Sequence, residues 1–271
     1  MDIVIPTYGR FRDQQTLTQL LAAGLKPKLV VQHRERAAYE RYDADVEIWA
    51  LPDDIRTIAP TRQWIVDNVG KDDALIMVDD DLVFYQRRDD DRTKLRDIEP
   101  SELKRAFESM AEWLEGYAHV GFAAREGANR NTESLITNTR IMRVLGYDRS
   151  ILRRRNIRFD EIEVMEDFHV ALTLLEYGYG NLVLNDFAHN QGGSGSSGGC
   201  SHFRTPELHA RNAERLRELH PQFVTVVEKT TKGSFGGGTR TDVRIQWKQA
   251  LGSKLCTRQL TWYIGLPSAS R

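Results

Sequence analysis

The sequence predicts an α/β domain with a mostly parallel central sheet, flanking helices and a basic C-terminal extension. Two observations carry that reading. Short apolar runs alternate with segments of helical spacing through the first half of the chain, the arrangement that builds βαβ units. One of those runs, Ala74 to Val78 (ALIMV), is apolar at every position, as expected of a parallel strand buried on both faces. A length of 271 residues suits one such domain with a short addition.

The first strand is Ile3 to Pro6, a β-branched run broken by the turn Pro6-Thr7-Tyr8-Gly9. Asp13 to Ala23 carries Leu17, Leu20 and Leu21 on one helical face and is closed by Gly24. Strands follow at Lys28 to Gln32 and Val46 to Leu51. A helix opens at Ala59-Pro60-Thr61, with Pro60 near its first turn, and runs to Val69. Beyond ALIMV, Pro100 to Tyr117 predicts an amphipathic helix through Leu103, Phe107, Met110 and Leu114, with Ser101 as its cap. His119 to Ala124 reads as a strand, Glu166 to Tyr177 as a helix ending at Gly178, and Leu182 to Leu184 as a last short core strand. Gly192 to Gly199 is a low-complexity loop that cannot pack by itself, and Gly233 to Gly238 is a second joint before a strand-like tail.

A hydrophobic share of 40% and a charged share of 28% are those of an ordinary globular protein. No run approaches the ~18 apolar residues that span a bilayer, so no membrane partner is expected. The N-terminus lacks a basic then apolar leader, and Cys200 and Cys256 read as free thiols, which together point to a reducing cytoplasm. The net charge of -1 is unevenly spread: from Lys229 onward eight Lys/Arg face one acid, Asp242, leaving that segment about +7 and the remainder about -8. A basic tail on an acidic body implies an anionic partner, either a polyphosphate cofactor or nucleic acid.

The strongest chemical signal is Asp79-Asp80-Asp81, directly after ALIMV. Three carboxylates at a strand end repel one another unless positive charge is supplied. Ligands of open α/β sheets bind at the carboxyl ends of the strands. A divalent metal, Mn²⁺ or Mg²⁺, shared with a diphosphate satisfies both conditions. Glu166 and Asp167 open a helix, where the dipole favours carboxylates, so a simple cap is the plain structural alternative.

Four motifs in order resemble glycosyltransferases of the GT-A (Rossmann-like) fold: Ile5-Pro6-Thr7-Tyr8-Gly9-Arg10, Thr61-Arg62-Gln63, Val78-Asp79-Asp80-Asp81-Leu82 and Val164-Met165-Glu166-Asp167-Phe168. The resemblance implies a metal-dependent transfer from a nucleotide sugar, such as a UDP-sugar. It implies donor contacts from Pro6, Thr7, Tyr8, Arg10, Arg62, Asp79 and Asp80. Asp81 and Asp79 would hold the metal, with a third ligand from His189; His202, on the glycine-rich approach, is a rival donor-site residue. Asp167 or Glu166 would accept the proton of the acceptor hydroxyl. The domain organisation expected is a transferase domain over 1–228, with a donor half to about residue 100, an acceptor half from about 101, and a lid at 192–199. The basic extension 229–271 would pack on the same domain.

The IPTYGR, VDDDL and EDFHVALTLLEYGYGN blocks more narrowly resemble the TET/JBP-associated glycosyltransferases of bacteriophages. That resemblance implies DNA carrying a hydroxymethylated pyrimidine, such as 5-hydroxymethylcytosine, as acceptor, and hence a host cytoplasmic location. The basic run Arg149 to Arg158 points the same way, with Arg153, Arg154, Arg155 and Arg158 as phosphate contacts. Phe159, Phe203, Trp247 and Trp262 are the aromatic groups available to wedge or stack bases. A transferase acting on a saccharide, lipid or protein, a nucleotidyltransferase, and a non-catalytic nucleotide-binding module are the competing readings.

Overall fold

Strand β1 (Asp2–Pro6) buries Ile3, Val4 and Ile5, with Ile3 and Ile5 in one apolar cluster and Val4 in another, as alternation across a sheet covered on both faces requires. The computed structural model describes residues 1–42, 46–127, 130–191, 205–231 and 238–254. After β1 come α1 (Gln15–Ala22), β2 (Lys28–Gln32), a 3-10 segment (His33–Tyr42), β3 (Glu47–Leu51), α2 (Ile58–Asn68) and β4 (Ala74–Val78). Then follow β5 (Leu82–Arg87), β6 (Leu95–Asp97), α3 (Pro100–Trp113), β7 (His119–Ala124), β8 (Leu135–Thr137), β9 (Val144–Asp148) and α4 (Arg149–Arg155). The chain continues through α5 (Glu166–Glu176), β10 (Asn181–Gln191), α6 (Pro206–Leu219), β11 (Val224–Thr231), β12 (Gly238–Ile245) and α7 (Trp247–Ala250).

The described strands form one sheet in the order β3-β2-β1-β4-β9-β7-β10-β5-β6, with β8 on β10, and a separate β11–β12 hairpin. β3, β2, β1 and β4 are parallel; β9 runs against both β4 and β7, and β10 is parallel to β7 again. The predicted mostly parallel α/β sheet is therefore present. Its order reverses at β1, which pairs with β2 on one side and β4 on the other. The carboxyl ends of β1 and β4 open there into the crevice where such sheets bind ligands.

On one face Phe84, Phe107 and Phe122 meet edge to face at 5.3 to 6.4 Å. On the other, Val4, Met77, Leu145 and Phe159 pack with α2 through Ile65 and Val66. Gly121 in β7 is required by close approach, since a Cβ there would lie 2.1 Å from Ile141 Cγ2 and 2.6 Å from the Val144 carbonyl. A third cluster joins α5 to α6 and the hairpin through Leu172, Leu175, Leu216, Val224 and Val243.

Several expectations need correction. The short strand at 182–184 is an eleven-residue strand, because β10 pairs successively with β7, β8 and β5. His189 therefore lies inside a strand instead of following one. Ser101 does not cap α3: Glu99 holds the cap position, Pro100 starts the helix and no side chain caps it. The basic run beginning at Arg149 is helical, with Asp148 accepting from the Ile151 amide at 3.2 Å. The boundary drawn after residue 228 falls inside β11, where Glu228 pairs with Thr241. The loop 192–199 lies outside the described residues. No helix of the described residues is long and apolar enough to cross a membrane.

Buried charge anchors the amino end of the sheet. Asp2, 4% exposed, bonds Arg149 Nη2 at 2.9 Å, the Asp72 amide at 2.8 Å and Lys28. Removing it strands a fully buried guanidinium, so Asp2→Ala should cost about 3–5 kcal/mol. A urea midpoint unchanged by that substitution would contradict the anchoring role.

Burial depresses two histidines outside the crevice, His119 to about 4 and His169 to about 3, the latter aided by neighbouring His220. Unfolded histidines take up protons below their ordinary pKa near 6.5, whereas these do not. Stability should accordingly fall as pH drops from about 6.5 towards 4, and the His119 and His169 imidazole NMR signals should stay untitrated between pH 5 and 8. Titration of either signal near 6.5 would refute the assignment.

Candidate active site

The triplet at the end of β4 is held by two arginines. Arg62 on α2 donates from Nη2 to Asp79 Oδ1 at 3.1 Å and from Nη1 to Glu166 Oε1 at 2.7 Å. Arg10, in the turn after β1, bonds Asp80 and lies 2.9 Å from Asp81 Oδ2. Asp80 also accepts from the Thr7 hydroxyl at 2.6 Å. The Thr7 oxygen in turn accepts from Gln14 at 2.9 Å and meets the Tyr39 hydroxyl at 3.2 Å. Burial pushes Asp80 up to about 6 against the opposing pull of Arg10 and Thr7, with Asp81 and Asp79 adding to the rise. Burial works to lower the Arg62 pKa, but Glu166, Asp79 and Asp167 outweigh it and keep the guanidinium charged.

The backbone is shaped to the same end. Gly9 takes a positive φ of 70° in the first turn, and its amide donates to Glu35 Oε2 at 3.0 Å. The Thr16 hydroxyl donates to the Asp79 carbonyl at 2.6 Å and accepts from the Leu82 amide at 2.9 Å, tying α1 to the triplet. Two non-glycine residues in the left-handed region border the site: Arg143, whose carbonyl accepts from the Asp79 amide, and Met165, which opens α5.

Of the acidic pair, Glu166 is buried and committed to Arg62, while Asp167 is half-buried. Asp167 acts electrostatically on Arg62 and on Arg140, whose guanidinium lies 4.4 Å over the Phe168 ring. Beneath them Tyr147 is fully buried and stacks on His119 with ring centroids 4.2 Å apart. A metal is compatible with this donor set. Asp81 Oδ1 is buried without a hydrogen bond, and the His189 ring nitrogens lack one of good geometry, although the Met142 backbone is near. The triplet and the acidic pair also outnumber Arg10 and Arg62, the guanidinium groups paired among them. A hard dication is commonly held by one or two carboxylates plus substrate phosphates. Among the described residues no three His, Cys, Asp or Glu are close enough to form a protein cage.

The structure thus brings Thr7, Arg10, Arg62, Asp79, Asp80, Asp81, Glu166 and Asp167 into one crevice. Pro6 closes β1 beside Val30, and Tyr8 is half-buried with Arg34 bonded to its hydroxyl at 2.6 Å. Thr7 and Arg10, expected at the nucleotide, both bond Asp80, which offsets the cost of burying that carboxylate. His189 is completely buried in β10, and burial lowers its pKa to about 3. Its neighbour on the same strand face, Gln191, reaches Asp81 Oδ2 at 3.4 Å. His202, Phe203 and Trp262 lie outside the described residues.

The basic run does not border this crevice. Asp148 is the register partner of Ala74, and the Arg149 amide donates to Asp73, so α4 starts at the amino end of β4, roughly 15 Å of strand from the triplet. Its arginines also serve the fold. Arg153 bonds the Val66 carbonyl at 2.6 Å, Arg155 and Arg154 interact with Tyr179, and Arg158 forks onto Asp160 at 2.6 and 2.8 Å. Phe159 is fully buried against Tyr147 and Trp247 packs on Phe168, so neither is a free wedge. Sequence reading missed Tyr39, Gln14 and Thr16, which brace the triplet from segments with no motif, and Arg140, an isolated cation in an irregular stretch.

A strand-end carboxylate cluster in the crevice of a mostly parallel sheet fits a transferase acting on a nucleotide-linked substrate. The fold agrees: a mannosyltransferase from Pyrobaculum calidifontis superposes with a TM-score of 0.53 at 14% identity, over 82% of this chain and 63% of that one. The chain belongs to the TET-associated glycosyltransferase family, whose model matches residues 1–199, and it is a glycosyltransferase. Relatives include the β-glucosyl-HMC-α-glucosyl-transferases of Enterobacteria phages T2 and T6, at 27% and 26% identity over 237 residues, 82% of this chain and of each relative.

Arg62 is the link between the halves of the crevice. Arg62→Met should destabilise the protein by about 3–5 kcal/mol by taking the cationic partner from the buried Glu166 carboxylate, while Asp79→Asn, at a carboxylate 29% exposed, should cost much less. Equal urea midpoints for the two variants would show that the bridge does not carry this weight.

Proposed function

We propose that this glycosyltransferase moves a sugar from a nucleoside-diphosphate sugar, a UDP-sugar by preference, to a hydroxyl carried by 5-hydroxymethylcytosine or a related base in phage DNA, within the host cytoplasm. The observation that carries this reading is the half-buried Asp167 beside Glu166, which one guanidinium ties to the triplet at the end of β4. The names of the phage T2 and T6 relatives support the acceptor class. They also favour a second form of it, in which the accepting hydroxyl belongs to a glucose already attached to the base.

In the reaction the acceptor oxygen bonds to the anomeric carbon, the bond from that carbon to the diphosphate breaks, and nucleoside diphosphate leaves. Asp167 takes the acceptor proton in an inverting transfer. Arg62 holds Glu166 and Asp79 in place, and Tyr8 offers its ring to the nucleotide. Asp81 and Asp79 would hold a divalent cation, Mn²⁺ or Mg²⁺, which supplies charge neutralisation at the leaving diphosphate. Asp81→Ala should lower turnover at least about a hundredfold with the fold intact. Asp167→Asn should spare donor binding and stop transfer; a variant with near-normal turnover would move the assignment to Glu166 or to a retaining reaction that needs no separate base.

The direct test is mass spectrometry of nucleosides after incubating the protein, Mn²⁺ and a panel of nucleotide sugars with two DNA substrates. One carries hydroxymethylcytosine and the other its β-glucosylated form. A hexose-sized gain on either modified base establishes the reaction and chooses between the two hydroxyls. Metal-dependent donor hydrolysis with no gain on either DNA would remove the DNA acceptor and leave the donor half standing.

A further inference from the structure

The β11–β12 hairpin lies beyond the residues matched by the family model and has two unlike faces. Val224, Val226, Val243 and Ile245 turn inward onto α5 and α6. Register pairs Thr225 with Arg244, Val227 with Asp242 and Lys229 with Arg240, which puts all six on the opposite, outward face. The cations there are open to solvent: Lys229 is 50% and Arg240 42% exposed, and Arg244 is exposed with no ion pair among the described residues. Asp242 is the only acid on that face among the described residues, and it bonds Lys229 at 3.0 Å and Arg240 at 3.2 Å.

The hairpin stands beside the acceptor side of the crevice. Trp247, two residues past β12, packs on Phe168 in the first turn of α5, with ring centroids 5.7 Å apart. Arg140 covers the same Phe168 ring and responds electrostatically to both Asp167 and Asp242. Arg140 thus lies within electrostatic reach of both the carboxylate proposed to meet the acceptor and the acid of the outward face. From the Val227–Asp242 pair the ribbon continues four residues to Thr231 and Gly238, a reach of roughly 13 Å. Same-face side chains on such a ribbon recur about every 6.7 Å, close to two 3.4 Å steps along one DNA strand.

We infer that the outward face of this hairpin, through Lys229, Arg240 and Arg244, binds the phosphate backbone of duplex DNA next to the transfer site. The inference rests on the DNA acceptor reading above and replaces the α4 arginines as the nucleic-acid surface. The contacts are to phosphate, so they position the duplex without selecting its sequence.

The test uses the full chain and a short fluorescent duplex carrying hydroxymethylcytosine. Each phosphate contact contributes about 0.9 to the slope of log K against log salt, so Arg240→Ala/Arg244→Ala should flatten that slope by nearly two and weaken binding at least tenfold. Thermal stability and acceptor-free donor hydrolysis should not change. Asp242→Asn, which releases Lys229 and Arg240, should tighten binding severalfold, an effect that a purely structural role would not give. If the wild type modifies the duplex and the double variant keeps its affinity and slope, the hairpin surface is wrong while the acceptor reading survives. If the wild type neither binds nor modifies any duplex, both fall together.

Discussion

Neutralising three consecutive aspartates at the end of a buried strand is the constraint on which this site is built. Two arginines meet it from different elements, Arg10 from the turn after β1 and Arg62 from the second turn of α2. Because Arg62 also bonds Glu166, the charge balance of the triplet fixes the start of α5 and thereby the position of Asp167. Breaking such a buried network exposes the remaining charges to a low-dielectric interior, which costs more than the bonds contribute. The same arrangement leaves net negative charge, and a ligand bringing positive charge into the crevice is favoured.

The sheet supplies the geometry. β1 and β4 are parallel neighbours, so their carboxyl ends bring the first turn and the triplet together without long loops. The reversed strand β9 enters between β4 and β7, and Arg143 just before it steadies Asp79 through its backbone. Alternation then decides which side chains serve the crevice. Along β10 the faces bearing His189 and Gln191 coincide, and Gln191 alone makes a polar contact with Asp81. His189 is fully buried and burial lowers its pKa to about 3, so its imidazole stays neutral, the form in which imidazole ligates a metal.

Much of this was legible in sequence where local rules govern. The apolar run of β4, the turn after β1 and the acidic opening of α5 each carry a local signature, and their order gives the parallel sheet and the crevice. What depended on pairing between distant residues was not legible. β10 reads as three core residues because its outer half is stabilised by β5, far away in sequence. Tyr39 and Thr16 lack a motif because each braces a partner far away in sequence, Tyr39 the Thr7 hydroxyl and Thr16 the main-chain carbonyl of Asp79. Nor was it legible in sequence that Arg62 captures Glu166 and not Asp167, since that pairing joins α2 to the start of α5.

The arginines show why charge density in a sequence does not locate a binding surface. The run from Arg149 to Arg158 is the denser of the two basic segments, yet several of its arginines also make structural bonds. Arg149 neutralises Asp2 in the core, Arg153 closes the end of α2, and Arg158 finds Asp160 two residues away. The hairpin carries fewer cations, but strand alternation sends its apolar residues to one face and so forces Lys229, Arg240 and Arg244 together on the other. A helix that begins with a buried arginine and ends against a tyrosine hydroxyl distributes its charge around its own circumference. A two-residue period cannot do so: it segregates. Positive charge therefore makes a structural clamp on a helix and a one-sided cationic face on a ribbon, and only the second is shaped to follow a phosphate backbone.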